Sequence, residues 1–191
     1  MKLTEANLTE EVIHNAIEEI AADSSEEQKE EYKNVIKQIF HKDIPIAEAL
    51  KIKPEVFEAM YAHAYRLYNS GNYQSACLLF AYLVTLDPGV AKYHMGQAAS
   101  HHMLKEYGPA VDSYMTAFFI DMTNPLPFFH VADCLLKEKS IEGAYFCLGM
   151  AAGIAGENPK YDKIRDRAQM MQSTLRDPSM DQSSKNETVE L

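Results

Sequence analysis

Small and large apolar residues recur along the middle of this 191-residue chain at one fixed spacing. The first set of small residues is Ala64, Ala98 and Ala132. The second set, twelve residues later, is Ala76, Ala110 and Ala144. A large apolar residue follows four positions further on, at Phe80, Tyr114 and Leu148. Apolar positions three or four residues apart share one face of an α-helix, so each unit predicts a pair of helices.

The spacing between equivalent positions, here called the repeat length, matches the period of about 34 residues that is typical of the tetratricopeptide repeat. The small residues let two antiparallel helices approach, and the large residue fills the gap beside them. One unit cannot bury its own apolar face, so about three must stack. We therefore predict an all-α fold in which three repeats form a short right-handed superhelical solenoid. The chain departs from the usual pattern where Met60, His94 and Phe128 replace Trp, and where His63 and Gln97 replace Leu.

The pattern divides the chain into four predicted parts. The first part is an N-terminal helical extension over residues 1–44. It contains one amphipathic helix over 8–21 and a second that begins after an N-cap near Ser25. This extension either caps the first repeat or packs on a second copy of the protein. The repeats span 45–156, at about 57–90, 91–124 and 125–156. Their helices are expected at about 54–69, 73–86, 90–104, 107–120, 125–138 and 141–155. A capping helix over 157–176 and a disordered acidic tail over 177–191 follow.

Composition narrows the classes of partner. The net charge is −10 and there is no basic stripe, which argues against nucleic acid and against an anionic membrane surface. The three cysteines, Cys77, Cys134 and Cys147, form no CxxC pair and fit a reducing compartment. No signal-peptide pattern is visible, and the longest apolar run, 144–156, is too short to span a bilayer. We expect a protein of the cytoplasm that does not insert into membranes.

No catalytic, cofactor or metal motif stands out in the sequence. There is no phosphate-binding loop and no GxSxG elbow. His94, His101 and His102 share part of a helix surface, but no Cys or carboxylate has a matching spacing for zinc. We expect these histidines to be core or solvated residues, and we expect no enzymatic activity.

A second stripe on the first repeat helix predicts a binding groove. Tyr61, Tyr65 and Tyr68 are rotated by one residue from the stripe that faces the partner helix. In such a solenoid the first helices line the concave side, where aromatic and methionine side chains offer adaptable contact area. The corresponding residues in repeats two and three are Met95, Ala99, His102, Met103, Phe129, Asp133 and Leu136. The alternative is that the N-terminal helices fold back and bury the tyrosines.

Three segments, residues 61–73, 96–99 and 129–135, resemble the class II chaperones of bacterial type III secretion, over roughly residues 45–170. The resemblance implies a cytoplasmic chaperone that binds hydrophobic translocator proteins and keeps them soluble and secretion-competent. It implies that an extended Pro-x-Leu-x-x-Pro-type segment lies in the concave groove, and that the chain forms a homodimer through its N-terminal helices. The groove aromatics of that family match Tyr61, Tyr65, Tyr68, Tyr73 and Phe80.

Two other interaction roles stay open at the level of sequence. An adaptor that clamps the acidic C-terminus of a heat-shock chaperone needs fixed positive charges along the first helices. The positions concerned lack them: they are Tyr61, Tyr65, Gly96, Leu126 and His130. A repeat scaffold for another protein assembly is disfavoured only weakly.

Overall fold

The computed structural model of the chain describes residues 17, 18, 21, 24–41 and 46–175. The helices in this part are α1 Glu26–His41, α2 Ile46–Ala49, α3 Pro54–Asn69, α4 Tyr73–Leu86, α5 Ala91–Met103, α6 Tyr107–Ile120, α7 Leu126–Lys137, α8 Ile141–Ala155 and α9 Asp162–Thr174. The described residues contain no strand, and the predicted all-α class is confirmed. Apart from residues 17, 18 and 21, the expected helix over 8–21 lies outside the described residues, as does the tail over 177–191.

The described residues fall into two compact units. One consists of the chain up to Phe57 together with Thr85–Asp87, and the other of residues 58–84 and those from 88 onward. No helix in the described ranges is long and apolar enough to cross a membrane.

In the first unit, α1 begins with a reciprocal cap. The Ser25 backbone N–H donates to Gln28 Oε1 at 3.0 Å, and the Gln28 N–H donates to Ser25 Oγ at 3.3 Å. This capping box satisfies two N–H groups that a helix start leaves free. The ammonium of Lys29 lies 2.7 Å from Glu18 and 3.2 Å from Glu26, so its charge is compensated although its side chain is largely covered.

In the second unit, the residues of the repeat pattern form the core. All six alanines of the two sets are fully buried, as are the three large residues that follow them. Because these alanines carry only a methyl group, α5 packs closely on α6 and α7 on α8. The helix pairs of the second and third repeats also pack on each other through α6 and α7, so the third repeat covers an apolar face of the second.

The turns inside the repeats share one backbone conformation. Gly71, Lys105 and Lys139 follow the first helix of each repeat at equivalent positions, with φ of 82°, 64° and 63°. In each turn the next residue donates to a carbonyl five positions back, as Asn72 N does to Leu67 O at 2.9 Å. This is the Schellman end of a helix, which favours glycine because a Cβ is strained at positive φ.

The last helix covers one end of the repeats. A 3₁₀ turn, Pro159–Tyr161, leads into α9, which packs on α8 and also contacts α7. The Gln172 side chain donates to the Tyr145 carbonyl at 3.1 Å, in space that a Cβ on Gly149 would occupy. The guanidinium of Arg167 lies 5.5 Å from the centre of the Phe129 ring. A capping role for α9 agrees with these contacts and stays a prediction.

Candidate binding groove

A groove of about 680 Å³ opens along the first helices of the three repeats. It is bounded by α3, α5 and α7, with single residues of α4 and α6 at its floor and two from the turn before α7. The lining residues are Tyr61, Tyr65, Tyr68, Phe80, Ala91, Lys92, Met95, Gly96, Ala99, His102, Met103, Tyr114, Asp121, Asn124, Leu126, His130 and Asp133.

One end of the groove, the aromatic end, is built on α3. The Tyr61 ring stacks on Tyr65 with centroids 6.4 Å apart and meets the edge of Phe80 at 5.8 Å. Tyr65 remains 53% exposed, while its neighbour Ala64 is fully buried. The exposed aromatic surface is therefore available for contact with another molecule.

The floor of the aromatic end depends on a glycine. A Cβ at Gly96 would overlap the ring of Phe80, so the absence of a side chain lets that ring lie under α5. Phe80 is almost fully buried and yet lines the groove, so it serves both the core and the groove wall.

A lysine at the aromatic end is already paired. Lys92 Nζ lies 2.6 Å from Glu58 Oε1 and 4.7 Å from the centre of the Tyr61 ring. The hydrogen bond to Glu58 raises the pKa of Lys92, so the lysine is charged at neutral pH. Glu58 compensates the charge of this lysine, and the face of the tyrosine ring stabilises it.

The other end, the polar end, is formed by α5, α6 and α7. His102 Nε2 lies 3.1 Å from Asp133 Oδ2, and the His130 ring stacks on Tyr114 with centroids 5.2 Å apart. Burial, and then the neighbouring His102, lower the pKa of His130, which is therefore neutral at pH 7. Burial likewise raises the pKa of Tyr114, so its hydroxyl keeps its proton. The polar end thus offers neutral donors and acceptors beside one carboxylate.

Comparisons with known proteins bear on what the groove binds. The family model of the tetratricopeptide repeat matches residues 58–88. The chaperone protein SicA of Salmonella dublin is 27% identical over 136 residues, which are 71% of this chain and 80% of SicA.

Two solved structures of the type III secretion chaperone SycD of Yersinia enterocolitica share the fold. One, described as an alternative dimer, has 27% identity and a TM-score of 0.62, and covers 64% of this chain and 92% of its own. The other holds a peptide of the translocator YopD, with 27% identity, a TM-score of 0.61, and coverage of 64% and 93%. The predicted resemblance to type III secretion chaperones is confirmed.

The structure brings together most of the residues that the sequence placed on this groove. Nine of the twelve line it: Tyr61, Tyr65, Tyr68, Phe80, Met95, Ala99, His102, Met103 and Asp133. The other three are not among the lining residues. Tyr73 lies behind the groove wall, where its ring meets Tyr68 edge-on at 5.3 Å. Phe129 and Leu136 pack into the core instead, and Arg167 of α9 covers Phe129.

Several lining residues were not among the predicted groove residues, although the repeat spacing contains a signal for one of them. Tyr114 lies one repeat length after Phe80, which was predicted. His130 lies one repeat length after Gly96 and Lys92 one after Glu58, but neither Gly96 nor Glu58 was a predicted groove residue. Lys92 enters the groove because α5 continues the surface that begins on α3.

A side-chain cluster outside the groove surrounds His101, one of the three histidines considered in the sequence analysis. His101 Nε2 lies 3.3 Å from Cys77 Sγ, and His101 Nδ1 lies 2.6 Å from Glu106 Oε2. His101 thus has both a cysteine and a carboxylate beside it, which the spacing along the chain did not reveal. Burial raises the pKa of Cys77, with a smaller effect of Glu106, so the thiol stays protonated. The cluster links α4, α5 and the start of α6.

Proposed function

We propose that this protein is a chaperone of bacterial type III secretion. It binds hydrophobic translocator proteins through an extended segment held in the groove, and it keeps them soluble and secretion-competent in the bacterial cytoplasm. The observation that carries this proposal is the exposed aromatic end around Tyr65, in a chain similar to SycD, which has been solved with a translocator peptide.

The geometry supplies what an extended segment needs. Aromatic rings and Met95 offer apolar contact area for its side chains. The neutral ring of His130 and the hydroxyl of Tyr114 offer donors and acceptors for its polar groups. Ordering the segment offsets part of the contact energy, so we expect a moderate, reversible affinity that allows release for secretion.

The groove does not favour the alternative adaptor role. Recognition of a C-terminal carboxylate needs several fixed positive charges. Among the lining residues Lys92 alone is a Lys or Arg, and Glu58 already neutralises it. An acidic C-terminus would also meet Asp121 and Asp133.

Affinity purification of the tagged protein from its native host, with mass spectrometry of the proteins retained, tests the proposal. Tyr65→Ala removes an exposed ring of the groove, and Tyr82→Ala removes an equally exposed ring on α4 that does not line it (53% and 55% exposed). We expect wild type and Tyr82→Ala to retain a secreted protein with long apolar segments, and Tyr65→Ala to lose it. Equal retention by both variants would contradict the proposal.

We also propose that the protein forms a homodimer through its N-terminal helices. A dimeric structure of SycD supports the homodimer, and the interface is our own prediction. Removal of residues 1–43 should lower the mass measured by light scattering to that of a monomer. An unchanged mass would place the interface elsewhere.

A further inference from the structure

The polar end of the groove carries a tyrosine whose hydroxyl has no hydrogen-bond partner among the described residues. Tyr114 is only 1% exposed, lines the groove, and makes no side-chain hydrogen bond to a described residue. No fully buried polar side-chain atom in the described part lacks a partner, so this hydroxyl reaches the groove surface. The His130 ring beside it likewise makes no hydrogen bond with a described residue. Both groups are placed to bind a ligand that occupies the groove.

The carboxylate next to them is only partly used. His102 contacts one oxygen of Asp133, Oδ2, at 3.1 Å, and the Asp133 side chain is 39% exposed. Its second oxygen has no partner among the described residues and is free to accept. Asp133, Tyr114 and His130 all line the groove, and after the larger effect of burial the Asp133 charge acts on the pKa of both other groups.

Acidic side chains outnumber basic ones among the lining residues of the groove, where Asp121 and Asp133 stand against Lys92. The Asp121 carboxylate accepts from Thr123 N at 3.1 Å. The lysine of the groove belongs to the aromatic end and is paired with Glu58. Arg167 approaches this region from α9, but its guanidinium lies over the Phe129 ring and does not line the groove.

These groups select among the side chains that a bound segment could carry. An acidic side chain would be repelled by Asp133. An apolar side chain would cover the Tyr114 hydroxyl and the carboxylate and leave them unsatisfied, which is costly in a buried setting. A basic side chain donates several hydrogen bonds to a carboxylate, a hydroxyl and a ring nitrogen, and it is attracted to the aromatic rings nearby.

We propose that Asp133, together with the Tyr114 hydroxyl and the His130 ring, binds a lysine or arginine side chain of the segment that occupies the groove. The proposal rests on the function proposed above. It adds a specificity-determining position: the bound segment combines apolar anchors at the aromatic end with one basic residue at the polar end.

Fluorescence polarisation with labelled synthetic peptides tests this inference. Each peptide has a Pro-Ser-Leu-Ser-Ser-Pro core with Ser and Gly flanks, and a single Lys, Ala or Glu is scanned through the core spacers and the flanks. In wild type we expect one position at which Lys binds about fivefold more tightly than Ala, the effect of a partly exposed ion pair, with Glu weaker than Ala. This preference should shrink as salt is added.

The variants assign the preference to residues. Asp133→Asn should abolish the gain from Lys while the Ala peptide binds as before. Tyr114→Phe should reduce the gain in part. Asp112→Asn removes a carboxylate from the exposed surface of α6, outside the groove, and should leave the gain unchanged. Circular dichroism establishes that each variant is folded.

The outcomes separate this inference from the proposed function. If the peptides bind wild type and lose binding with Tyr65→Ala, but Lys gives no gain at any position, the basic subsite is wrong and the chaperone function stands. A gain that survives Asp133→Asn would overturn the assignment to Asp133. If no peptide of the series binds, the peptide groove itself is contradicted, and the inference fails with it.

Discussion

Neighbouring residues on α3 belong to surfaces with different constraints. The core face, represented by Ala64, recurs in each repeat as alanine and is fully buried in all three. The groove face does not recur, since Tyr65 is followed by Ala99 and Asp133 at the same spacing. The comparison teaches that close helix packing imposes the same residue in every repeat, whereas the groove face, which no such packing constrains, differs from repeat to repeat.

The core side of this comparison predicts the largest effect on stability. Leu148→Ala on α8 removes a fully buried side chain that does not line the groove, and should lower the free energy of unfolding by about 2 to 5 kcal/mol. Urea denaturation measures the change. The folded variant should bind the groove peptides with unchanged affinity.

A control on the same helix sharpens this test. Phe146 is 64% exposed, so Phe146→Ala should change the free energy of unfolding by less than about 0.5 kcal/mol. If both variants were equally stable, the division between a core face and an exposed face on α8 would be wrong.

The turns between the helices of a repeat predict the smallest effect. Lys105 and Lys139 adopt the positive φ that Gly71 adopts in repeat one. A left-handed conformation costs a non-glycine residue about 1 kcal/mol, and the greater freedom of glycine in the unfolded chain offsets part of the gain. Lys105→Gly should therefore raise the free energy of unfolding by roughly 0.5 kcal/mol.

The reverse change provides the check on this prediction. Gly71→Ala places a Cβ at a φ of 82° and should lower stability by about 1 kcal/mol, with no neighbouring atom in the way of the new methyl group. Thermal melts of both variants show whether each change raises or lowers stability. A loss of stability with Lys105→Gly would show that the lysine contributes more than its backbone strain costs.

The repeat core could be predicted from sequence because packing repeats there. A buried small residue leaves no room for variation, so Ala98 and Ala132 mark the pattern even though Trp is absent. The helix bounds within the repeats followed from the same period, and α3 spans Pro54–Asn69 where the sequence placed a helix over 54–69.

The groove could be predicted only in part, since its lining depends on the neighbours of each helix. Phe129 lies one repeat length after Met95, which lines the groove. Because α9 packs on α7 and Arg167 covers the Phe129 ring, the equivalent position in repeat three does not line the groove. Tyr114 reaches the groove from the second helix of its repeat. The sequence analysis took groove positions mainly from a stripe on the first helices, and so it did not include Tyr114. The contact of His101 with Cys77 joins residues of different repeats, which no local spacing encodes.

The most direct test of the central claim is a paired measurement on Tyr65→Ala and Tyr82→Ala. Each change removes one exposed tyrosine from the same repeat, and only the first alters the groove. For both purified variants, the melting temperature and the affinity for the translocator that wild type retains would be measured together. We predict that Tyr65→Ala loses at least about tenfold in affinity, as expected for an aromatic contact at the centre of an interface. Both variants should melt within a few degrees of wild type. A large fall in melting temperature with Tyr65→Ala, or an equal affinity in both variants, would contradict the account.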